Sequence, residues 1–310
     1  MRRLLLIPLL ASLTACLPDE VTLKYGTEPG RRLTYELRLR ARIDRTLAGE
    51  ERRQTVAATF RAQQQITGRS PQGGATALMT LEPRSLTVDG RGQQVGAPQS
   101  FEVRIAADGR ILQIQRTGEG DAAAEEAEPV AAPTPGPPLA SPAADPTPQP
   151  PDGTDDPGTG EEQLAPLGID RLIPRLRPVL PGRPVSPGET WRSVSDFQDE
   201  GGRFSLELRS RLAALGLRED RRAALVRTTY SSPVRRREIF SNAVTDIQGE
   251  DVGSQEAWFA LDGYLIEARG DSVGVYRLLF RPPGGSGAGL EPVEGSLRVR
   301  LSTEMRLVGR

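Results

Sequence analysis

The sequence predicts an all-β protein built from curved antiparallel sheets, with one short helix. Three observations lead to this prediction. Apolar residues alternate with charged ones over long stretches, Asp-Gly pairs join such stretches, and only one segment has helical spacing. Alternation at every second residue places one face of a strand in a core and the other face in water. The expected architecture is half-barrel or sandwich-like.

The N-terminal β unit, residues 16–118, contains the longest alternating stretch. From Leu33 to Ile43 apolar residues recur at every second position, with arginines between them. A weaker pattern follows from 56 to 66 and a further strand from 75 to 88. Residues 101–114 then predict two short strands joined by a turn.

The C-terminal β unit, residues 166–310, is predicted to begin with the helix. Its apolar residues share one helical face, and two prolines limit its length: Ile169, Leu172, Ile173, Leu176, Pro174 and Pro178. We expect this helix to cover an end or a face of the sheet. Alternation predicts strands around 204–208, 223–227, 273–280 and 297–307, with Ala223, Leu225 and Arg227 on one face.

Two Asp-Gly hairpins are the clearest turn signals. Residues 104–114 and 258–268 align with Asp108-Gly109 and Asp262-Gly263 in register. Asp-Gly favours a type I′ turn, in which both central residues have positive φ. Pro29-Gly30 before the first unit is also echoed by Pro187-Gly188 before the second. These matches predict a tandem duplication of one β unit; the alternative is that any two β meanders share such turns.

Between the units lies an acidic, proline-rich linker, residues 119–165. Positions 119–162 contain 11 prolines and 11 acidic residues, with no basic or aromatic residue. Such a composition buries too little apolar surface to offset the entropy of ordering, which predicts a disordered linker. It either separates two folded bodies or interrupts a single one, and the sequence leaves both arrangements open.

The formal charge of −1 conceals two unlike parts. Without the linker and the two arginines of the N-terminal segment, the remaining residues carry a net charge of +8. A basic surface of this kind suits contact with anionic lipids or other anionic envelope polymers. The alternative is a solvated surface rich in arginine for reasons of codon usage. No nucleic-acid-binding signature is present, so nucleic acid is not an expected partner.

The chain contains no histidine and one cysteine. This excludes an imidazole base, a serine–histidine triad, an internal disulfide and a cysteine cluster for zinc or iron–sulfur. No pair of carboxylates stands out as a general acid and base. We therefore expect no catalytic residue, no metal site, no cofactor and no enzymatic activity.

The N-terminus has the pattern of an exported chain. Arg2 and Arg3 precede an apolar stretch, 4–13, that is too short to span a bilayer, and Leu13-Thr14-Ala15-Cys16 follows. This ending resembles the lipobox of bacterial lipoproteins. The resemblance implies a signal peptide, residues 1–15, cleavage before Cys16, and acylation of Cys16 with palmitate-like chains. In such lipoproteins an aspartate directly after the cysteine favours retention in the inner membrane. The residue here is Leu17, so the resemblance implies the outer membrane.

A second resemblance concerns the mature chain. The segment Leu180–Trp191, the alternating strands and the Asp-Gly hairpins are similar to exported β-rich bacterial lipoproteins of unknown function. The architecture also resembles lipoprotein carriers, whose curved sheet encloses an apolar groove. Since ten of the 14 aromatic residues lie in the C-terminal unit, we expect any ligand groove there, lined by Trp191, Trp258, Phe259 and Tyr264.

Together these patterns predict a lipid-anchored envelope protein that binds an apolar ligand or a protein partner without catalysing a reaction. The membrane is the expected partner of Cys16, and a lipid or an envelope protein is the expected partner of the β units. The alternative is a structural scaffold in which the linker spaces two β modules.

Overall fold

A computed structural model describes residues 20–117, 169–199, 202–240, 243–281 and 292–310. The signal peptide, Cys16 and the linker at 119–165 lie outside these residues and stay predictions.

The described residues form fourteen strands and one helix. In the N-terminal unit the strands are β1 (Val21–Thr22), β2 (Arg32–Leu47), β3 (Glu50–Arg69), β4 (Ala75–Val88), β5 (Arg91–Gly92), β6 (Gln99–Ile105) and β7 (Ile111–Arg116). The C-terminal unit begins with helix α1 (Ile169–Arg175) and continues with β8 (Pro184–Val185), β9 (Thr190–Asp199), β10 (Gly202–Arg218), β11 (Arg221–Phe240), β12 (Ala243–Ala260), β13 (Tyr264–Arg281) and β14 (Val293–Gly309).

Eleven of these strands form one nearly closed barrel. The sheet runs in the order β3, β2, β14, β13, β12, β11, β10, β9, β7, β6, β4, and pairing of β3 with β4 returns to its start. Neighbours in a ring of eleven cannot all be antiparallel, because eleven is odd. The exception is β7 beside β9, a parallel contact with a single bridge between Gln113 and Gln198.

The prediction of an antiparallel all-β fold with one short helix is confirmed, and both units share one sheet. The last strand of the C-terminal unit, β14, pairs with β2 of the N-terminal unit. In this pairing Val299 lies opposite Ile43 and Leu301 lies opposite Ala41. The strand order is compatible with a duplication: setting aside β5, an Asp-Gly turn joins the fourth and fifth barrel strands of each unit. The duplication itself stays a prediction.

The two Asp-Gly hairpins form as expected, but their turn type was predicted wrongly. Gly109 and Gly263 have positive φ, whereas Asp108 and Asp262 do not. Each glycine N–H donates to the carbonyl three residues earlier, and the paired strands carry a bulge nearby. These features define a longer turn ending in a left-handed glycine. The two-residue turns with two positive φ angles are Ala48-Gly49, Asp89-Gly90 and Glu219-Asp220.

Apolar side chains of the wall point inward. In β2 the buried positions alternate as predicted, from Leu33 to Ile43. In β11 Ala223 is buried as predicted, but farther along the strand the other face points inward: Val226, Thr228 and Tyr230 are buried, whereas Arg227 is exposed and pairs with Glu256. The predicted face fails there because the inward positions include Thr228 and Ser232 as well as apolar residues.

The outward face of the wall carries charge. Ion pairs join neighbouring strands there: Arg227–Glu256, Arg237–Asp246, Arg269–Glu304 and Arg277–Glu294. A wall facing lipid carries an outward apolar band and a polar interior, and this barrel has the reverse arrangement. Its described outer surface therefore suits water. Within the described part of the chain, no helix has the length and apolarity to cross a bilayer.

Helix α1 covers a face of the sheet, as one of the two predicted positions has it, and that face is the inner one, so the helix lies inside the barrel. Its residues Leu172 and Ile173, with Leu176 just after it, join the same buried cluster as the inward residues of β2, β3 and β14. One end of the barrel, which carries the turns 106–110, 219–220 and 261–263, is filled by residues 20–26 and 178–185. We call it the plugged end. Its core is Val21, Leu23, Tyr25, Leu180, Val185, Trp191, Leu212, Ala224, Val226 and Phe259.

Candidate functional site in the barrel lumen

A buried ion pair connects helix α1 to the barrel wall. The Arg175 Nη2 atom donates to Asp251 Oδ2 of β12 at 2.5 Å, and the two side chains are only 15% and 7% exposed. Tyr276 of β13 donates its hydroxyl to the other oxygen of Asp251. Both carboxylate oxygens therefore have a donor, which offsets part of the cost of burying this charge.

A second contact crosses the lumen just after the helix. Arg177 donates to Gln64 Oε1 of β3 at 3.1 Å, and its guanidinium lies 4.7 Å from the ring centroid of Tyr25. Since β3 and β12 are on different sides of the barrel, Arg175 and Arg177 fix this segment to two parts of the wall.

The surroundings of Arg175 and Tyr276 keep both side chains protonated. Burial by itself lowers the pKa of Arg175, but the charge of Asp251 and contacts with Tyr230 and Tyr276 raise that pKa above its ordinary value. Burial and the nearby Asp251 charge raise the pKa of Tyr276 well above its usual range. At neutral pH Arg175 is charged, and Tyr276 keeps the proton that it donates.

Glycines in β12 and β13 make room for the aromatic side chains around this pair. A Cβ on Gly253 would lie 2.5 Å from the Tyr230 Cζ atom, and a Cβ on Gly249 would lie 2.9 Å from the Tyr276 ring. A Cβ on Gly274 would collide with Asp251 and the Tyr276 hydroxyl. These glycines are needed for close approach of side chains, and at Gly249 also of the Val275 carbonyl oxygen, and not for a positive φ.

We expect Gly253→Ala to lower the free energy of unfolding by about 1–3 kcal/mol, because the added methyl group overpacks the Tyr230 ring. Gly216→Ala in β10 is the matched control, since nothing lies within 4 Å of its added Cβ. That control should be neutral or slightly stabilising. Urea unfolding of both variants measures the difference, and equal stabilities would contradict the packing argument.

A cavity of about 890 Å³ adjoins the helix. It touches six neighbouring strands at one level, β4, β3, β2, β14, β13 and β12, so it lies on the concave face of the wall. The inward residues around it are mostly apolar or small: Ala41, Val56, Gly253, Ser272 and Leu301. Ser272 and Leu301 also line a small void beside Leu172, Arg175 and Leu176, which places the cavity next to α1.

The wall around the lumen is chemically uneven. The sector from β2 to β7 is almost wholly apolar, whereas β9 to β13 contribute buried polar side chains. Ser210 and Thr228 share a hydrogen bond of 2.9 Å. The Gln255 Nε2 and Thr245 Oγ1 atoms are buried with no hydrogen-bond partner among the described residues. An occupant of the lumen would thus meet an apolar wall on one side and polar groups on the other.

The four aromatic residues predicted to line a groove do not share one concave surface. Trp191 and Phe259 lie together in the core of the plugged end, where Trp191 donates to the Val179 carbonyl at 2.8 Å. Tyr264 is buried in the main core and accepts a hydrogen bond from Arg221. Trp258 is partly buried, with the Arg218 guanidinium 5.9 Å from its ring centroid. Ligand contact by these residues stays a prediction.

Sequence reasoning missed Arg175, Asp251 and Tyr276. Arg175 follows a proline at the end of a short helix, and Asp251 resembled the other solvated acids of the strands. One usable signal was present: glycines at 249, 253, 270 and 274 stand inside predicted or neighbouring strands, and such glycines mark close approach of other atoms. Among the described residues, no group of three potential metal ligands occurs.

No protein-family profile matches the chain, and no curated protein matches it by sequence. Among solved structures, it is similar to the crystal structure of Pseudomonas aeruginosa OccK2 (OpdF). That similarity covers 94% of this chain and 100% of the other, with 8% sequence identity and a TM-score of 0.23.

Proposed function

We propose that this chain is a non-enzymatic, lipid-anchored protein of the bacterial outer membrane whose barrel holds an apolar ligand in its lumen. The observation that supports ligand binding most directly is the cavity beside α1. Its volume of about 890 Å³ lies within the usual range for small-molecule sites, roughly 300–1,000 Å³, and such sites combine mostly apolar walls with a few polar groups.

The location rests on separate observations. Leu13-Thr14-Ala15-Cys16 supplies the lipobox pattern, and Leu17 follows the cysteine. The charged outer face of the barrel suits a protein that is tethered at a membrane and surrounded by water. An acyl anchor at Cys16 reconciles membrane attachment with this surface, because each buried CH₂ group of the anchor contributes about 0.8 kcal/mol.

The chemistry of the lumen favours a ligand with an apolar body. Ala41, Val56 and Leu301 offer it an apolar wall, and Ser272 and Gly253 continue this wall on the adjacent strands β13 and β12. Burial of apolar surface against these residues would drive binding at roughly 25 cal/mol per Å² removed from water. The Arg175–Asp251 pair keeps α1 in place as the floor of the cavity.

Replacing Ala41 with tryptophan should abolish binding of an apolar probe. The indole would extend from β2 into the cavity and occupy the space that the ligand needs. We expect N-phenyl-1-naphthylamine to bind the wild-type protein with a rise in fluorescence and to bind Ala41→Trp at least about tenfold more weakly, the equivalent of about 1.4 kcal/mol.

The control for this variant is Arg38→Trp, which places the same indole three residues away on the exposed face of β2, outside the lining of the cavity. It should bind the probe like wild type, and thermal melting should show that both variants are folded. A wild-type protein that gives no fluorescence rise, or an equal loss in both variants, would refute binding in the lumen. Native mass spectrometry of protein purified without detergent then tests for a retained natural ligand.

A further inference from the structure

Three arginines converge on one buried tyrosine at the plugged end. The guanidinium carbons of Arg310, Arg31 and Arg221 lie 3.8, 5.0 and 5.7 Å from the ring centroid of Tyr264, which is 1% exposed. They come from distant parts of the chain: the loop before β2, the start of β11 and the residue after β14. The fold therefore concentrates three positive charges around a single ring.

The local backbone is shaped to admit these side chains. Gly26 donates its N–H to the Gly263 carbonyl at 2.8 Å, and a Cβ on Gly26 would collide with the Arg31 guanidinium. Arg31 also donates to the Asp262 carbonyl at 3.3 Å, and Arg221 donates to the Tyr264 hydroxyl at 2.6 Å. The turn 261–263 therefore holds the Arg31 guanidinium in place, and the Tyr264 hydroxyl holds the Arg221 guanidinium.

Nearby acids balance this charge only in part. Glu28 lies 3.4 Å from Arg31, and its side chain is 81% exposed. Asp262 lies 3.8 Å from Arg310, and its side chain is 59% exposed. Exposed pairs of this kind contribute little, because water screens them. Burial and the charges of Arg221 and Arg31 lower the pKa of Arg310, which indicates unrelieved repulsion within the cluster.

The surrounding surface adds to the positive field. Lys24, Arg32 and Arg222 lie at the same end of the barrel and form no salt bridge with any described residue. An anion that reached the three arginines would relieve their repulsion. Arginine is also the side chain whose planar donors best match the oxygens of a phosphate.

We propose that Arg31, Arg221 and Arg310 form a binding site for a phosphate group, supplied by a phospholipid headgroup or by a free phosphate. The site is separate from the lumen and does not rest on ligand binding there. Its position agrees with anchoring through Cys16: only four residues lie between Cys16 and Val21 at the plugged end, so the two are at most about 18 Å apart. An acylated Cys16 would hold this end of the barrel near lipid phosphates.

The test uses the chain without residues 1–16, a change that removes no described contact of the fold. One arm titrates inorganic phosphate against chloride at equal ionic strength and follows thermal stability. The other arm measures co-sedimentation with phosphatidylcholine vesicles that contain or lack phosphatidylglycerol. The variants are Arg310→Gln and Arg221→Gln, and the control is Arg227→Gln, an exposed arginine of the same strand as Arg221.

We expect at least about tenfold weaker binding in Arg310→Gln and Arg221→Gln, and unchanged binding in Arg227→Gln. Stabilisation by inorganic phosphate with no vesicle binding would assign the site to free phosphate. Vesicle binding that needs phosphatidylglycerol and is lost in the same variants would assign it to a headgroup. No binding in either arm, or an equal loss in all three variants, would overturn the site.

Discussion

Replacing Arg175 with leucine is expected to destabilise the barrel by about 3–5 kcal/mol. The change would leave the Asp251 carboxylate, whose side chain is 7% exposed, without its positive partner. Removing one partner of a buried ion pair costs this much because the remaining charge stays out of water and unpaired. Tyr276 would still donate to Asp251, but a neutral donor compensates a buried charge only in part.

The double variant Arg175→Leu, Asp251→Leu should recover most of this loss. It removes both charges and leaves apolar side chains of similar size, a change that is often neutral or stabilising. Urea unfolding of the wild type, the single variant and the double variant measures this recovery.

An exposed pair provides the matched control for this prediction. Arg227→Leu breaks the ion pair with Glu256 on the outer face, where both side chains are more than half exposed. Such a pair contributes about 0–1 kcal/mol. If Arg175→Leu cost no more than Arg227→Leu, or if the double variant were no more stable than Arg175→Leu, the pair would not hold α1 in the barrel.

The strands that sequence reasoning located are those with an apolar inward face. Leu33 to Ile43 gave an unbroken period of two, and this stretch forms the middle of β2. β9 and the first part of β12 were missed because their inward positions carry small or polar residues, such as Ser195, Gly249 and Asp251. A period of two in hydrophobicity disappears wherever a lumen is polar, even though the strand continues.

Closure of the barrel could not be predicted from local patterns. It depends on β14 pairing with β2 and on the single bridge between β7 and β9, contacts between segments far apart in sequence. The short helix was predicted correctly from the spacing of Leu172, Ile173 and Leu176. Its position inside the lumen follows from the ring around it, and no local signal carries that information.

The predicted ligand groove and the cavity in the lumen involve different kinds of side chain. Aromatic content directed attention to the C-terminal unit, but large aromatic side chains fill space and so pack into cores. The apolar lining of the cavity comes instead from Ala41, Val56 and Leu301, on strands β2, β3 and β14. Small side chains leave a cavity open, and a search for prominent residues overlooks them.

Replacing Cys16 with serine is expected to release the protein from the membrane. A serine has no thiol to receive the lipid, so the mature protein would carry no acyl chains. Since a single acyl chain binds only marginally and several bind stably, loss of the whole anchor should shift the mature protein from the membrane fraction to the soluble fraction. Incorporation of labelled palmitate should disappear as well.

The control is Thr14→Ser, which keeps a small residue before the cysteine and should leave labelling and fractionation unchanged. The outcome also separates the two proposed membrane contacts, the lipid on Cys16 and the arginine cluster. If Cys16→Ser loses its label but stays with membranes until Arg310 or Arg221 is also replaced, the arginine cluster is binding the lipid surface by itself. If Cys16→Ser keeps both label and membrane attachment, the cysteine is not the anchor. Attachment through Cys16 would then no longer explain why the plugged end should face the lipid.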